Sequence, residues 1–145
     1  MYTDTILLVE DNPDDELLAL RALKKTNATE KVVVARDGEE ALAYVFGEGK
    51  YEARNPAKLP RVIFLDINLP KINGLQVLEK IRLNKKTSLV PIVLLTSSDE
   101  ERDMIDGYKL GANSYINKPV NFNQFIEEIS LLGKYWLGVN KTPAQ

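Results

Sequence analysis

The sequence predicts an α/β fold, a five-stranded parallel sheet wound on both faces by five helices. Short apolar runs alternate with stretches of helical periodicity five times along the chain, the pattern of repeated βαβ units. Every run except the second is nearly all apolar, as expected of strands covered by helices on both faces. The length of 145 residues suits one domain whose core needs no disulfide or structural metal. We therefore expect a single domain over 1–145, with its core at about 5–137 and a C-terminal tail at 138–145.

The first strand is expected at about Thr5 to Glu10. Asn12-Pro13, with Asp15 three residues beyond the asparagine, reads as an N-cap with a first-turn proline and opens a helix to about Lys25. Lys31 to Ala35 forms the second strand. Asp37 with Glu40 then starts a helix whose Ala41, Leu42 and Val45 share a face. Gly47 to Pro60 is a long polar connection, and Arg61 to Leu65 is the third strand. The loop Leu69-Pro70-Lys71-Ile72-Asn73-Gly74 leads to a helix that buries Val77, Leu78 and Ile81. Pro91 starts the fourth strand, and Ser98 with Glu101 forms a capping box for a fourth helix. That helix carries a ragged stripe of Met104, Ile105, Tyr108 and Leu110 interrupted by Gly107, so it should be loosely held. The fifth strand lies in the run Ser114-Tyr115-Ile116-Asn117-Lys118-Pro119. Asn121 with Gln124 caps a last helix with Phe122, Phe125, Ile126, Ile129, Leu132 and Trp136 at spacings of three and four.

Composition removes several classes of function. The formal charge of −2, with both signs interspersed, lacks the basic excess of a surface for nucleic acid or anionic lipid. The apolar runs are too short to span a bilayer and the first residues carry no targeting pattern, so a cytoplasmic protein is expected. With no cysteine and no histidine, the chain lacks disulfides, thiol chemistry, the usual general base and the usual transition-metal ligand. Its chemistry must use carboxylates, hydroxyls and lysine.

Four strand ends carry such groups: Glu10-Asp11, Asp66, Thr96-Ser97 and Lys118-Pro119. Right-handed crossovers favour the flavodoxin-like strand order 2-1-3-4-5, which sets the first and third strands side by side at the switch point, where open α/β sheets bind ligands. Glu10, Asp11 and Asp66 would flank that point. Two carboxylates about 4 Å apart repel by roughly 4 kcal/mol at an effective dielectric near 20, so a compensating cation is implied. Hard oxygen ligands point to Mg²⁺, with Mn²⁺ as a substitute. Asp66 could also act as a nucleophile and form an aspartyl phosphate. Lys118 would neutralise phosphoryl oxygens and the Thr96 hydroxyl would donate to one of them. Any one of these residues alone is more simply a cap or a solvated side chain. Four compatible strand ends are not easily accidental.

From about Thr5 to Leu137 the chain resembles a response-regulator receiver domain of two-component signalling. The family's acid pair matches Glu10 and Asp11, its phosphoacceptor Asp66, its hydroxyl residue Thr96 and its Lys-Pro pair Lys118-Pro119; Leu69-Pro70 and Gly74 also fit. The resemblance implies a metal held by Asp11, Asp66, the backbone carbonyl of Asn68 and, through water, Glu10. It implies a cis Lys118–Pro119 bond and a switch pair, Thr96 and Tyr115. It implies a phosphoacceptor signalling protein with weak intrinsic phosphorylation and dephosphorylation chemistry, not an enzyme in the usual sense. A sensor histidine kinase would be the donor.

The long connection and the ending Leu132-Gly133-Lys134-Tyr135-Trp136-Leu137 resemble receiver-only regulators partnered with cyanobacterial and bacterial phytochromes. Those commonly form homodimers, and Tyr135 and Trp136 are candidate contacts; alternatively Trp136 packs under its own helix. After Leu137 only eight residues remain, so output should leave by protein contact. A phosphorelay shuttle that passes its phosphoryl group to another histidine protein remains an alternative. A magnesium phosphatase of the haloacid dehalogenase type would need a general acid where Asn68 stands. A flavin mononucleotide site would need a phosphate loop where Glu10-Asp11-Asn12-Pro13-Asp14-Asp15 would repel phosphate. Gly47-Glu48-Gly49-Lys50 follows a helix pattern and lacks P-loop spacing.

Overall fold

The computed structural model describes residues 2–25, 31–97 and 100–143. The elements run β1 (Thr5–Val9), α1 (Pro13–Lys24), β2 (Lys31–Ala35), α2 (Gly38–Phe46), β3 (Val62–Asp66), α3 (Gly74–Leu83), β4 (Ile92–Thr96), α4 (Glu101–Lys109), β5 (Ser114–Asn117) and α5 (Phe122–Lys134). A single 3₁₀ turn covers Gly49–Tyr51, and a π-helical turn over Tyr135–Val139 extends α5. The strands form one parallel sheet in the expected order, β2-β1-β3-β4-β5.

Every residue of β1, β3 and β4 is buried, and alternate residues feed two separate cores. Leu7, Val9, Ile63, Leu65, Ile92 and Leu94 face α2 and α3, meeting Ala41, Val45, Val77, Leu78 and Ile81. Ile6, Leu8, Val62, Phe64, Val93 and Leu95 face the other way, onto Ala19 and Leu23 of α1 and Phe125, Ile129 and Trp136 at the C-terminal end. The period-two alternation of side chains makes both halves of an all-apolar strand useful only when helices lie on both sides. Each fully buried aliphatic side chain contributes roughly 1.5–3 kcal/mol toward the cost of ordering the chain.

The helices start where side chains satisfy their first amides. Asn12 Oδ1 accepts from the N–H groups of Asp14 and Asp15, Asp37 from Glu40, and Asn121 from Gln124. Asn73 and Gln76 make a reciprocal capping box at α3, each bond 3.0 Å long, where the sequence reading has only a loop. The expected box from Ser98 lies outside the described residues; α4 starts with Glu100 at its N-cap position and no side-chain cap bond. Gly107 is the only buried residue of α4. A Cβ there would come within 2.6 Å of Leu94 Cδ1, so the residue that interrupts the apolar stripe is the one that lets the helix approach the sheet.

Two expectations need correction. Phe122 fits the α5 stripe by spacing but is 70% exposed, because as the first residue of α5 it lines a surface cleft with Leu17, Leu18 and Arg21 of α1. The third strand runs one residue later than expected and includes Asp66, which pairs with Leu95. The connection from Gly47 to Pro60 is polar but anchored. The Arg54 guanidinium stacks 4.1 Å from the Tyr44 ring centre and donates to the carbonyls of Tyr44, Val45 and Lys58. Among the described residues no helix is long and apolar enough to cross a membrane.

Candidate functional site

The register places the strand ends side by side. Val9 pairs with Leu65, so Glu10, just past β1, and Asp66, the last residue of β3, lie side by side; Thr96 pairs with Asn117, which puts Lys118 just past β5. Burial on both faces fixes that register, since a one-residue slip would turn every core side chain to the opposite face.

Carboxylate oxygens of Glu10, Asp11 and Asp66 all lie within 4.8 Å of one another. Glu10 and Asp66 are buried and Asp11 is exposed, so the cluster opens to solvent at one side. The Lys118 ammonium lies among them, 2.7 Å from Glu10 Oε1 and 2.9 Å from Asp66 Oδ2. It also reaches Asp15 Oδ2 at 2.9 Å. The other oxygen of Asp66 accepts the Asn68 N–H at 3.0 Å, which fixes the plane of the carboxylate. Glu10 Oε2 accepts the Asn12 N–H at 3.3 Å. Thr96 is fully buried at the end of β4, and its carbonyl accepts the Lys118 N–H at 2.7 Å.

Crowding has electrostatic consequences. Burial, and then the adjoining Asp66 carboxylate, push the Glu10 carboxyl well above the usual carboxylate range, to about 8, against the lowering pull of Lys118. Burial alone would weaken the Lys118 ammonium as an acid-base partner in its charged form. Its hydrogen bonds to Glu10, Asp15 and Asp66 outweigh that and raise its pKa.

The loop after β3 depends on Gly74. A Cβ there would collide with the Asp66 carbonyl oxygen and come within 2.7 Å of Ile67 Cα. The Gly74 N–H donates to the Ile67 carbonyl at 2.8 Å, and Lys71 takes a positive φ of 69° to turn the chain between them. The start of α3 is thereby held against the strand that carries Asp66.

A divalent cation fits this donor set. Three carboxylates converge with no histidine or sulfur among them, and one side is open for water and a phosphate oxygen, the environment Mg²⁺ and Mn²⁺ favour. Asp11 and Asp66 would hold it, with Glu10 near enough to bind through water.

The structure brings Glu10, Asp11, Asp66 and Lys118 into one site and places Asn68 and Thr96 beside it. Tyr115 is half-buried on β5 against the core that contains Leu94. The Lys118–Pro119 bond is trans, correcting the cis expectation; no cis bond occurs among the described residues. Trans is the lower-energy isomer of an X–Pro bond by about 0.5–1 kcal/mol, and Lys118 reaches its carboxylates without the change. Trp136 is 8% exposed and packs in the core beside Ile129, with Tyr135 edge-on to it at 5.0 Å. Packing under its own helix therefore describes Trp136, while Tyr135, 45% exposed, remains on the surface. The sequence reading missed Asp15 as a partner of Lys118 and saw only its place in the first turn of α1.

Comparison with known proteins gives the same picture. The family model described as "response regulator receiver domain" matches residues 6–130. Response regulator Rcp1 of Synechocystis is 36% identical over 96% of this chain and 92% of its own. A probable methanogenesis regulatory protein, FilR2 of Methanothrix harundinacea, is 35% identical over 95% of this chain and 86% of its own. The Mn²⁺-bound form of Rcp1 superposes with a TM-score of 0.89 at 35% identity, covering 97% of this chain and 99% of that one. The phosphorylated cyanobacterial phytochrome response regulator RcpA gives a TM-score of 0.90 at 36% identity, covering 97% of this chain and 98% of that one.

Proposed function

The chain belongs to the response-regulator receiver family, the phosphoacceptor side of two-component signalling, and on that premise we propose that Asp66 takes its phosphoryl group from a phosphohistidine of a sensor kinase. An Asp66 oxygen bonds to phosphorus as the P–N bond to the donor imidazole breaks, and the imidazole nitrogen keeps the electron pair. Lys118, now 2.9 Å from Asp66, neutralises the charge that develops on the phosphoryl oxygens. Bound Mg²⁺ or Mn²⁺ would share that neutralisation. The Thr96 hydroxyl donates to a phosphoryl oxygen, and Tyr115 follows it inward, altering the face made by α4, β5 and α5. The observation that carries this reading is the convergence of three acids and one buried ammonium at the ends of β1, β3 and β5.

The partner is a histidine kinase, and a phytochrome kinase is the specific candidate, supported by the likeness to RcpA. Neither a nucleic-acid nor a membrane partner is proposed, given the net charge of −2. Signal output runs through protein contacts, with a homodimer formed around the exposed Leu131, Tyr135 and Val139 at the end of α5.

The test is labelling with acetyl phosphate and Mg²⁺. An adduct on Asp66 that hydroxylamine removes and that Asp66→Asn abolishes supports the reading. An unmodified protein, or equal labelling of the variant, refutes it.

A further inference from the structure

Resting on the receiver reading above, we propose that Asp15 is a positioning residue for phosphoryl transfer, anchoring the Lys118 ammonium from outside the group of acids that would hold the metal. Its Oδ2 accepts from Lys118 Nζ at 2.9 Å, as short as the bond that Lys118 donates to Asp66 itself. An ammonium has three N–H donors, and Glu10, Asp15 and Asp66 take one each.

The three acceptors do not have the same duties. Glu10 and Asp66 belong to the cluster of acids whose oxygens lie within 4.8 Å of one another, and Asp15 does not. Cation and phosphoryl group will compete for the oxygens of Glu10 and Asp66 during the reaction, whereas the Asp15 bond can persist throughout. Lysine carries its charge on a flexible four-carbon stem, so an anchor that survives the chemistry keeps the charge where the transferring group arrives.

Asp15 is itself well placed to serve as a fixed point. Its N–H is bound by the Asn12 side chain at 3.1 Å, in a first turn stiffened by Pro13. The same turn offers a simpler role, since any acid there complements the helix dipole. Asp14 is the internal control. It has the same charge and the same Asn12 cap contact, while the three Lys118 protons go to other residues.

Asp15→Ala, Asp15→Asn and Asp14→Ala should be compared for phosphorylation by acetyl phosphate at saturating Mg²⁺, for Mg²⁺ affinity by calorimetry, and for acylation of Lys118 read by mass spectrometry. Asp15→Ala is expected to slow phosphorylation three- to tenfold, with Asp15→Asn, which keeps an acceptor oxygen, in between. Mg²⁺ affinity should stay within twofold, Lys118 should acylate several-fold faster, and Asp14→Ala should match the unaltered protein in all three. The proposal is overturned by Asp15→Ala rates within twofold of the unaltered protein, by unchanged Lys118 acylation, by an equal loss in Asp14→Ala, or by Mg²⁺ affinity falling in step with the rate. Failure of the receiver reading looks different: the unaltered protein itself would take no label on Asp66.

Discussion

Lys118 Nζ lies 2.9 Å from Asp66 Oδ2, and both side chains are less than a tenth exposed. The ammonium thus occupies, before any phosphoryl group arrives, the position from which it can stabilise one. It also gives two buried acids a common partner, because Glu10 shares the same ammonium.

Removing that charge should destabilise the metal-free fold. Breaking a buried ion pair by deleting one partner typically costs 3–5 kcal/mol. With its pKa raised to about 8, Glu10 is already largely protonated at neutral pH and Asp66 is left as the main uncompensated charge, so Lys118→Met should cost about 3 kcal/mol in urea unfolding at neutral pH with chelator present. Added Mg²⁺ should recover much of the loss, while phosphorylation of Asp66 stays slow. Equal unfolding midpoints for the variant and the unaltered protein would show that Lys118 does not compensate the acids.

Metal and pH should act together. The Glu10 pKa is raised from 4.5 to about 8 in the folded metal-free protein, so the folded state binds this proton more tightly than the unfolded chain does. The resulting stability is fully present below about pH 4.5 and is lost as pH rises toward 8. Thermal midpoints in chelator should therefore fall between pH 5 and 8, by roughly 2–4 °C per kcal/mol for a chain of this size. Saturating Mg²⁺ should flatten the decline, and Glu10→Gln should remove it. A slope that persists in Glu10→Gln would assign the titration to another group.

Gly74→Ala should disturb the site without touching any of its functional side chains. The added methyl meets the backbone of Asp66 and Ile67, which cannot rotate away as a flexible side chain would. Overpacking of this kind costs about 1–3 kcal/mol and should slow phosphorylation by displacing Asp66. Gly138→Ala, where an added Cβ meets nothing within 4 Å, should be neutral in both measurements.

Much of this was legible in the sequence because the signals were local. All-apolar strands state that both sheet faces are covered, and the strand ends announce Glu10, Asp11, Asp66, Thr96 and Lys118. Signals that depend on tertiary approach were not legible. Asp15 reads as a helix-start acid until α1 is seen leaning toward Lys118. Gly107 reads as a defect until its distance to Leu94 is known. Phe122 obeys the α5 periodicity, yet periodicity cannot say whether the first residue of a helix reaches the core. The Asn73–Gln76 capping box was present in the letters and hidden by the loop residues before it.

The end of α5 separates a residue that holds the fold from one that can hold a partner. Trp136 is packed with Phe125 and Ile129, and truncating a buried tryptophan typically costs 3–5 kcal/mol. Trp136→Ala should therefore lower the unfolding midpoint strongly. Tyr135 stands edge-on to Trp136 at 5.0 Å but keeps 45% of its surface exposed, so Tyr135→Ala should cost only about 1 kcal/mol, the value of one aromatic pair. If the proposed homodimer forms through Tyr135 and its exposed neighbours Leu131 and Val139, Tyr135→Ala should sediment as monomer at concentrations where the unaltered protein is dimeric. An unaltered protein that is monomeric at micromolar concentration, with and without phosphodonor, would remove the dimer while leaving the stability difference between the two substitutions intact.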